Sequence, residues 1–218
     1  MKDKLSLDKK SDSRLTPDDS ALLLVDHQTG LCSGVANHSQ PEFLNSVLAL
    51  AHIGKVFELP TIISPSFSAG PNGPLISEVA EIFPDVPIVH RPGEINAWDN
   101  PDFVAAVKAT NRKNLIIAGV STEVCVAFLA LSVVKEGYGA YAVIDASGTW
   151  NAVVADVAVA RMTQAGVVPM TWLAVGAELQ RDWRRPTGQP LAKAMSNHLP
   201  FYSYATGGFL AHQGKKSQ

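Results

Sequence analysis

Cysteine is scarce in this chain: Cys32 and Cys125 are the two among 218 residues. Two thiols do not make a disulfide framework, so each is a core residue, a reactive thiol or an incidental one. An excess of charge of one sign is also lacking. The net charge is -2 and 17% of residues are charged, so the basic surplus typical of nucleic-acid binders is missing and no such partner is expected. No apolar run is long enough for a transmembrane helix. The charged start Met1-Lys2-Asp3-Lys4 does not have the apolar stretch of a signal peptide. A soluble cytoplasmic protein, without a membrane partner, is the expectation. Neither GxGxxG nor GxxxxGK(S/T) occurs, so the usual nucleotide-phosphate loops are missing. The histidines His27, His38, His52, His90, His198 and His212 show neither HxH nor HxxxH spacing, and no metal or other cofactor is expected.

What the chain does have is apolar residue, 46% of the total, in short continuous runs that alternate with helical patterns. Strands are expected over residues 21–25, 61–63, 87–89, 114–118, 141–144 and 167–171. Helices are expected over 41–57, 76–83, 101–110, 122–136, 152–165 and 174–183. Continuous apolar strands alternating with helices mean a parallel sheet covered on both faces. The expected fold is therefore one α/β domain over residues 20–185, a three-layer, Rossmann-like body with a mostly parallel sheet of about six strands. A polar arm over 1–19 precedes it. An appendage over 186–218 follows, to pack on the domain or on a neighbouring subunit.

In an open parallel sheet, ligands bind outside the carboxyl ends of the strands. Asp26 follows the first strand, His90 and Arg91 the third, and Cys125 lies in the first turn of the helix after the fourth. An acid, a cation and a thiol thus converge on one edge. The turn Gly119-Val120-Ser121-Thr122-Glu123-Val124-Cys125 puts the thiol at a helix N-terminus, whose partial positive charge favours the nucleophilic thiolate. Taken singly, each residue has a plainer reading: a small core cysteine, a capping aspartate, a surface arginine. Together they suggest a nucleophile, a general base and a group that orients the base. Cys32 is read as a bystander. Asp145 is read as a loop organiser. Phe67, Trp98, Thr122 and Trp150 are candidates to wall a small substrate pocket.

Several runs carry a resemblance. Val25-Asp26-His27-Gln28, the turn over residues 119–125 and Asp145-Ala146 resemble the isochorismatase-like cysteine hydrolases. Gly70-Pro71-Asn72-Gly73-Pro74-Leu75, Arg91-Pro92-Gly93, Ile95-Asn96-Ala97-Trp98-Asp99-Asn100, Met170-Thr171-Trp172 and Arg181-Asp182-Trp183-Arg184 are similar to the YcaC-type subgroup, over nearly the whole chain. The resemblance implies a Rossmann-like sheet and a catalytic triad of Asp26, Arg91 and Cys125, with arginine where the wider family has lysine. It also implies a cis peptide bond before Ser121 and a ring-like homo-octamer. The stretch Ser64-Pro65-Ser66-Phe67-Ser68 has none of the metal ligands of nicotinamidases, which argues against a metal and against that activity.

The function expected is cysteine-dependent hydrolysis of a small amide-like or imine-like substrate at a C–N bond other than a peptide. A covalent thioester would form on Cys125, with the backbone N–H groups of Ser121 and Cys125 as the oxyanion hole. Two alternatives stay open. One is a non-catalytic, oligomeric ligand-binding or scaffold protein on a hydrolase fold. The other is an isochorismatase, which would need a site shaped for two carboxylates.

Overall fold

The structure is a computed structural model and describes residues 14–216. Its elements run in the order β1 (Ser20–Val25), α1 (Thr29–Ser33), α2 (Gln40–Val56), β2 (Thr61–Ser64), α3 (Ser77–Ile82), α4 (Pro101–Ala109), β3 (Asn114–Gly119), α5 (Ala127–Lys135), β4 (Gly139–Val143), α6 (Ala152–Gln164), β5 (Val168–Met170), α7 (Trp172–Gln180), α8 (Gly188–His198) and α9 (Pro200–Lys216). The five strands lie in the order β2-β1-β3-β4-β5 and every neighbouring pair is parallel. The α/β class is as expected; the strand count is five rather than six. Residues 87–89 run beside β2, but Ile88 forms just an isolated bridge with Ile63. Pro87 is the first residue of this stretch, and a proline has no N–H to give to a ladder.

Strand periodicity explains the two cores. Leu22 and Leu24 point to the face covered by α2, α3, α7 and α8, where Phe43, Leu50, Ile53, Val175 and Leu191 pack. Ala21, Leu23 and Val25 point to the opposite face, against Phe103 and Val107 of α4 and Leu129 and Val133 of α5. Because β1 sits mid-sheet, all six of its residues are buried, as a strand covered on both faces must be. Helix limits follow local chemistry. Ser39 and Glu42 form a capping box at the start of α2. After α5, Gly137 takes φ +89°, and the N–H groups of Gly137 and Tyr138 close back on the carbonyls of Val134 and Val133.

Of the arm expected over 1–19, residues 1–13 lie outside the described ones. Leu15 is fully buried in the first core, and its N–H donates to Glu178 on α7 at 2.9 Å. Residues 186–216 form α8 and α9, and α8 buries Leu191, Ala194 and Met195. Among the described residues, no helix is long and apolar enough to cross a membrane.

A chain of imidazoles joins α2 to α8. His198 Nδ1 donates to Asn45 Oδ1 at 2.8 Å, while Asn45 Nδ2 donates to the His198 carbonyl at 3.0 Å. That tautomer leaves His198 Nε2 to accept from His52 Nδ1 at 2.8 Å. Burial pushes both pKa values below the ordinary 6.5, and for His198 the neighbouring His52 adds to the effect. Buried His27 is lowered too, mainly by desolvation. The unfolded chain therefore takes up protons before the folded one as pH falls. Stability is full above about pH 6.5 and declines as pH drops through and below it. Thermal melts between about pH 8 and pH 5 should show this decline. The double substitution His52→Gln, His198→Gln should make it shallower, and an unchanged slope would disprove the assignment.

Candidate active site

The switch in strand order falls between β1 and β3, the place where open α/β sheets bind ligands. Asp26 leaves the end of β1 with φ +57°, a conformation in which an aspartate is tolerated but a branched residue is not. This turn keeps its carboxylate inside, where the residue is 1% exposed. Arg91 comes in from the segment beside β2. Its backbone N–H donates to Pro65 O at 3.1 Å and its carbonyl accepts from Phe67 N–H at 2.8 Å.

The Arg91 side chain is fully buried and ion-paired to Asp26. A guanidinium has five N–H donors, and here each has an acceptor. Nε donates to Ser64 Oγ at 3.0 Å and one Nη to the carbonyls of Glu94 and Ile95, at 2.6 and 3.4 Å. The other Nη donates to Asp26 Oδ1 and to Ser64 O. Ser64 Oγ in turn donates to Val89 O at 2.7 Å. Asp26 Oδ2 remains buried with no hydrogen-bond partner of good geometry.

Cys125 completes the set from the other side of the switch point. The helix expected over 122–136 begins with a wider turn over Thr122–Val126. There the Val126 and Ala127 N–H groups reach back five residues, to the carbonyls of Ser121 and Thr122. Such wide turns recur at functional sites. The peptide bond Val120–Ser121 is cis. The thiol pKa is raised well above the usual range, against the sequence expectation. Burial is the largest cause, followed by the charge of Asp26 and the attraction of its carboxylate for the thiol proton. The Ser121 backbone N–H and the Arg91 charge oppose this and are outweighed. The helix terminus thus does not outweigh burial and the Asp26 charge, and the thiol is held toward its protonated form. Cys32 is also pushed up, to about 12, by burial and by Glu78.

Cys125 opens on a pocket of about 470 Å³ whose wall includes Leu31, Phe67, Ile95, Val124 and Ser121, a size suited to a small molecule. Phe67 lines this cavity, on a backbone with φ +41°. Three other candidates do not. Trp98 turns away to meet the Tyr138 ring edge-on, with centroids 5.8 Å apart. Trp150 lies over Gly34. Thr122 is fully buried under the turn, its N–H held by Gly148 O at 2.9 Å. Each follows a strand end in sequence, but which way a side chain leaves a loop depends on what the loop packs against.

Other residues were not singled out from the sequence. Ser64 ends an apolar strand just as Asp26 does, and that shared pattern was the available signal. Gln28 is buried, and its amide donates to the carbonyls of Ser66 and Gly73 and accepts from Ser66 N–H, pinning the pocket loop. Asn72 donates to Ser66 from within that loop. Asp145 organises a loop, as expected: it accepts from the Trp172 N–H at the start of α7. Among the described residues, no group of three or more His, Cys, Asp or Glu side chains could hold a metal ion.

A buried ion pair stripped of one partner leaves an uncompensated charge, at a cost of about 3–5 kcal/mol. Arg91→Met should destabilise the protein by that order in denaturant titrations. The double variant Asp26→Leu, Arg91→Met should lose clearly less than the sum of the two single variants. Additive losses would mean that the pair does not act as a unit.

The isochorismatase domain family matches residues 20–173. The probable hydrolase YcaC of Escherichia coli is 55% identical over 189 residues, covering 87% of this chain and 90% of that one. The structure of YcaC from Pseudomonas aeruginosa with hexane-2,5-diol and covalent acrylamide superposes with a TM-score of 0.89 at 54% identity, over 91% of this chain and 98% of the other. The Escherichia coli YcaC structure, described as an octameric hydrolase of unknown specificity, gives 0.90 at 52% identity, over 93% and 98%. With its parallel sheet, its switch-point site and these matches, the chain belongs to the isochorismatase family.

Proposed function

We propose that this protein is a cysteine hydrolase that cleaves a C–N bond in a small amide-like or imine-like substrate, with Cys125 as nucleophile, Asp26 as general base and acid, and Arg91 orienting Asp26. One observation carries the reading: a buried carboxylate with one oxygen locked by Arg91 and the other unpartnered, acting on a thiol in the pocket wall. Asp26 takes the proton as Cys125 sulfur bonds to the substrate carbon. The negative oxygen so formed is held by the N–H groups of Ser121 and Cys125. Collapse breaks the C–N bond, and Asp26 returns the proton to the leaving nitrogen. Water, deprotonated by Asp26, then opens the thioester and restores the thiol. The raised thiol pKa suits this scheme, because the nucleophile ionises only when the base receives its proton. The covalent acrylamide on the Pseudomonas aeruginosa relative also supports a reactive nucleophile, since acrylamide is an electrophile to which thiols add. An isochorismatase reading is disfavoured: a dicarboxylate needs free cationic donors, and those of Arg91 are all engaged.

By analogy with the octameric relative, we extend the proposal to a homo-octamer. Val153 and Val157, one turn apart on α6, and Phe201, Tyr204 and Phe209 on α9 are exposed apolar side chains suited to burial between copies. Sedimentation should give the mass of eight chains; a monomer would refute the assembly.

The mechanism is tested by separating ionisation from turnover. In a Cys32→Ala background, Asp26→Asn removes the charge that opposes thiolate formation. The ultraviolet thiolate absorbance should then titrate at lower pH, while hydrolysis of amides, ureas or hydroxamates falls by at least about 10²-fold. Cys125→Ala should abolish turnover and Cys32→Ala should not. An Asp26→Asn protein that turns over normally would refute the base assignment.

A further inference from the structure

The charges around the pocket say something about its substrate, given the hydrolase reading above. Arg91 is next to the site, yet its donors are spent on Asp26, on Ser64 and on the carbonyls of Glu94 and Ile95. It therefore offers no N–H to an incoming carboxylate. The other polar groups of the wall are the neutral Ser66, Asn72 and Ser121, together with one further ionisable side chain, Glu94.

Glu94 is not a loose surface acid. Its Oε1 accepts from Asn100 Nδ2 at 3.2 Å and its Oε2 from Gly93 N–H at 3.3 Å. Asn100 is itself buried and fixed, because its Oδ1 caps α4 at Phe103 N–H, 2.9 Å away. The Glu94 carbonyl is held by Arg91. The same contacts keep the carboxyl ionised. Hydrogen bonding by its own and the Gly93 backbone and by Asn100, together with the Arg91 charge, outweighs burial and lowers its pKa. With Asp26 and Arg91 cancelling as a pair, Glu94 leaves the pocket one net negative charge.

We propose that Glu94 is a specificity-determining residue: its fixed carboxylate makes the pocket a charge filter that takes neutral or cationic small amides and rejects those bearing a carboxylate. A fixed charge at the wall of a cleft concentrates molecules of the opposite sign and repels like ones.

The test reads the charge of the pocket without turnover. In a Cys32→Ala background, Cys125 is labelled with neutral iodoacetamide and with anionic iodoacetate. Each rate is divided by that of a small free thiol at the same pH. The protein should favour the neutral reagent by about tenfold more than the free thiol does, and added salt should narrow the gap. Glu94→Gln keeps a hydrogen-bond acceptor and should cut the preference several-fold; Glu94→Lys should reverse it. A preference unchanged in Glu94→Gln overturns the filter and leaves the hydrolase reading intact. A Cys125 that neither reagent labels counts against the hydrolase reading instead. The filter is then read on Cys125→Ala by saturation-transfer NMR. Propionamide and glycinamide should make contact and succinamate should not, unless Glu94 is replaced; equal contact by all three amides would overturn it.

Discussion

The buried pairing of Asp26 with Arg91 is the constraint around which this site is organised. Removing a carboxylate and a guanidinium from water costs several kcal/mol each, which only near-complete hydrogen bonding offsets. The protein meets that demand with backbone. Three of the five acceptors of Arg91 are main-chain carbonyls, of Ser64, Glu94 and Ile95. The ion pair therefore fixes the end of β2 and the 91–95 segment together, and these supply part of the pocket wall. The placement of Asp26 and the shape of the pocket wall come from one hydrogen-bond network, and a lysine, with three donors on one nitrogen, could not satisfy it in the same way.

Burial, and after it the charge of Asp26, set the state of the thiol. A helix N-terminus and a nearby arginine both favour thiolate, but Asp26 and a dry environment oppose it and prevail. The result is a thiol held toward its neutral form beside the Asp26 carboxyl group. A thiol held in its neutral form is oxidised less readily than a standing thiolate. Asp26, at φ +57°, is the residue through which both effects pass, so its backbone conformation ties the strand end to the chemistry.

Much of this was visible in the sequence. The apolar runs located β1 to β5 to within a residue or two, since a strand buried on both faces must be apolar along its length. Asp26, Arg91 and Cys125 stood out as ionisable residues just past strand ends. The strand expected at 87–89 is reduced to an isolated bridge because Pro87 has no N–H for the ladder, a matter of pairing with a neighbour rather than of hydrophobicity. Ser64, Gln28 and Glu94 gained no site role from the sequence because they are common polar residues whose importance lies in what they touch.

The sequence by itself determined the layered α/β fold and put Asp26, Arg91 and Cys125 just past strand ends, because these depend on local pattern and strand order. Tertiary structure alone decided that all the donors of Arg91 are engaged, that the thiol rests protonated, and that Phe67 faces the pocket while Trp98 and Trp150 do not. Those outcomes depend on burial and on distances between segments far apart in the chain. Desolvation and hydrogen-bond geometry arise only once such segments have been brought together.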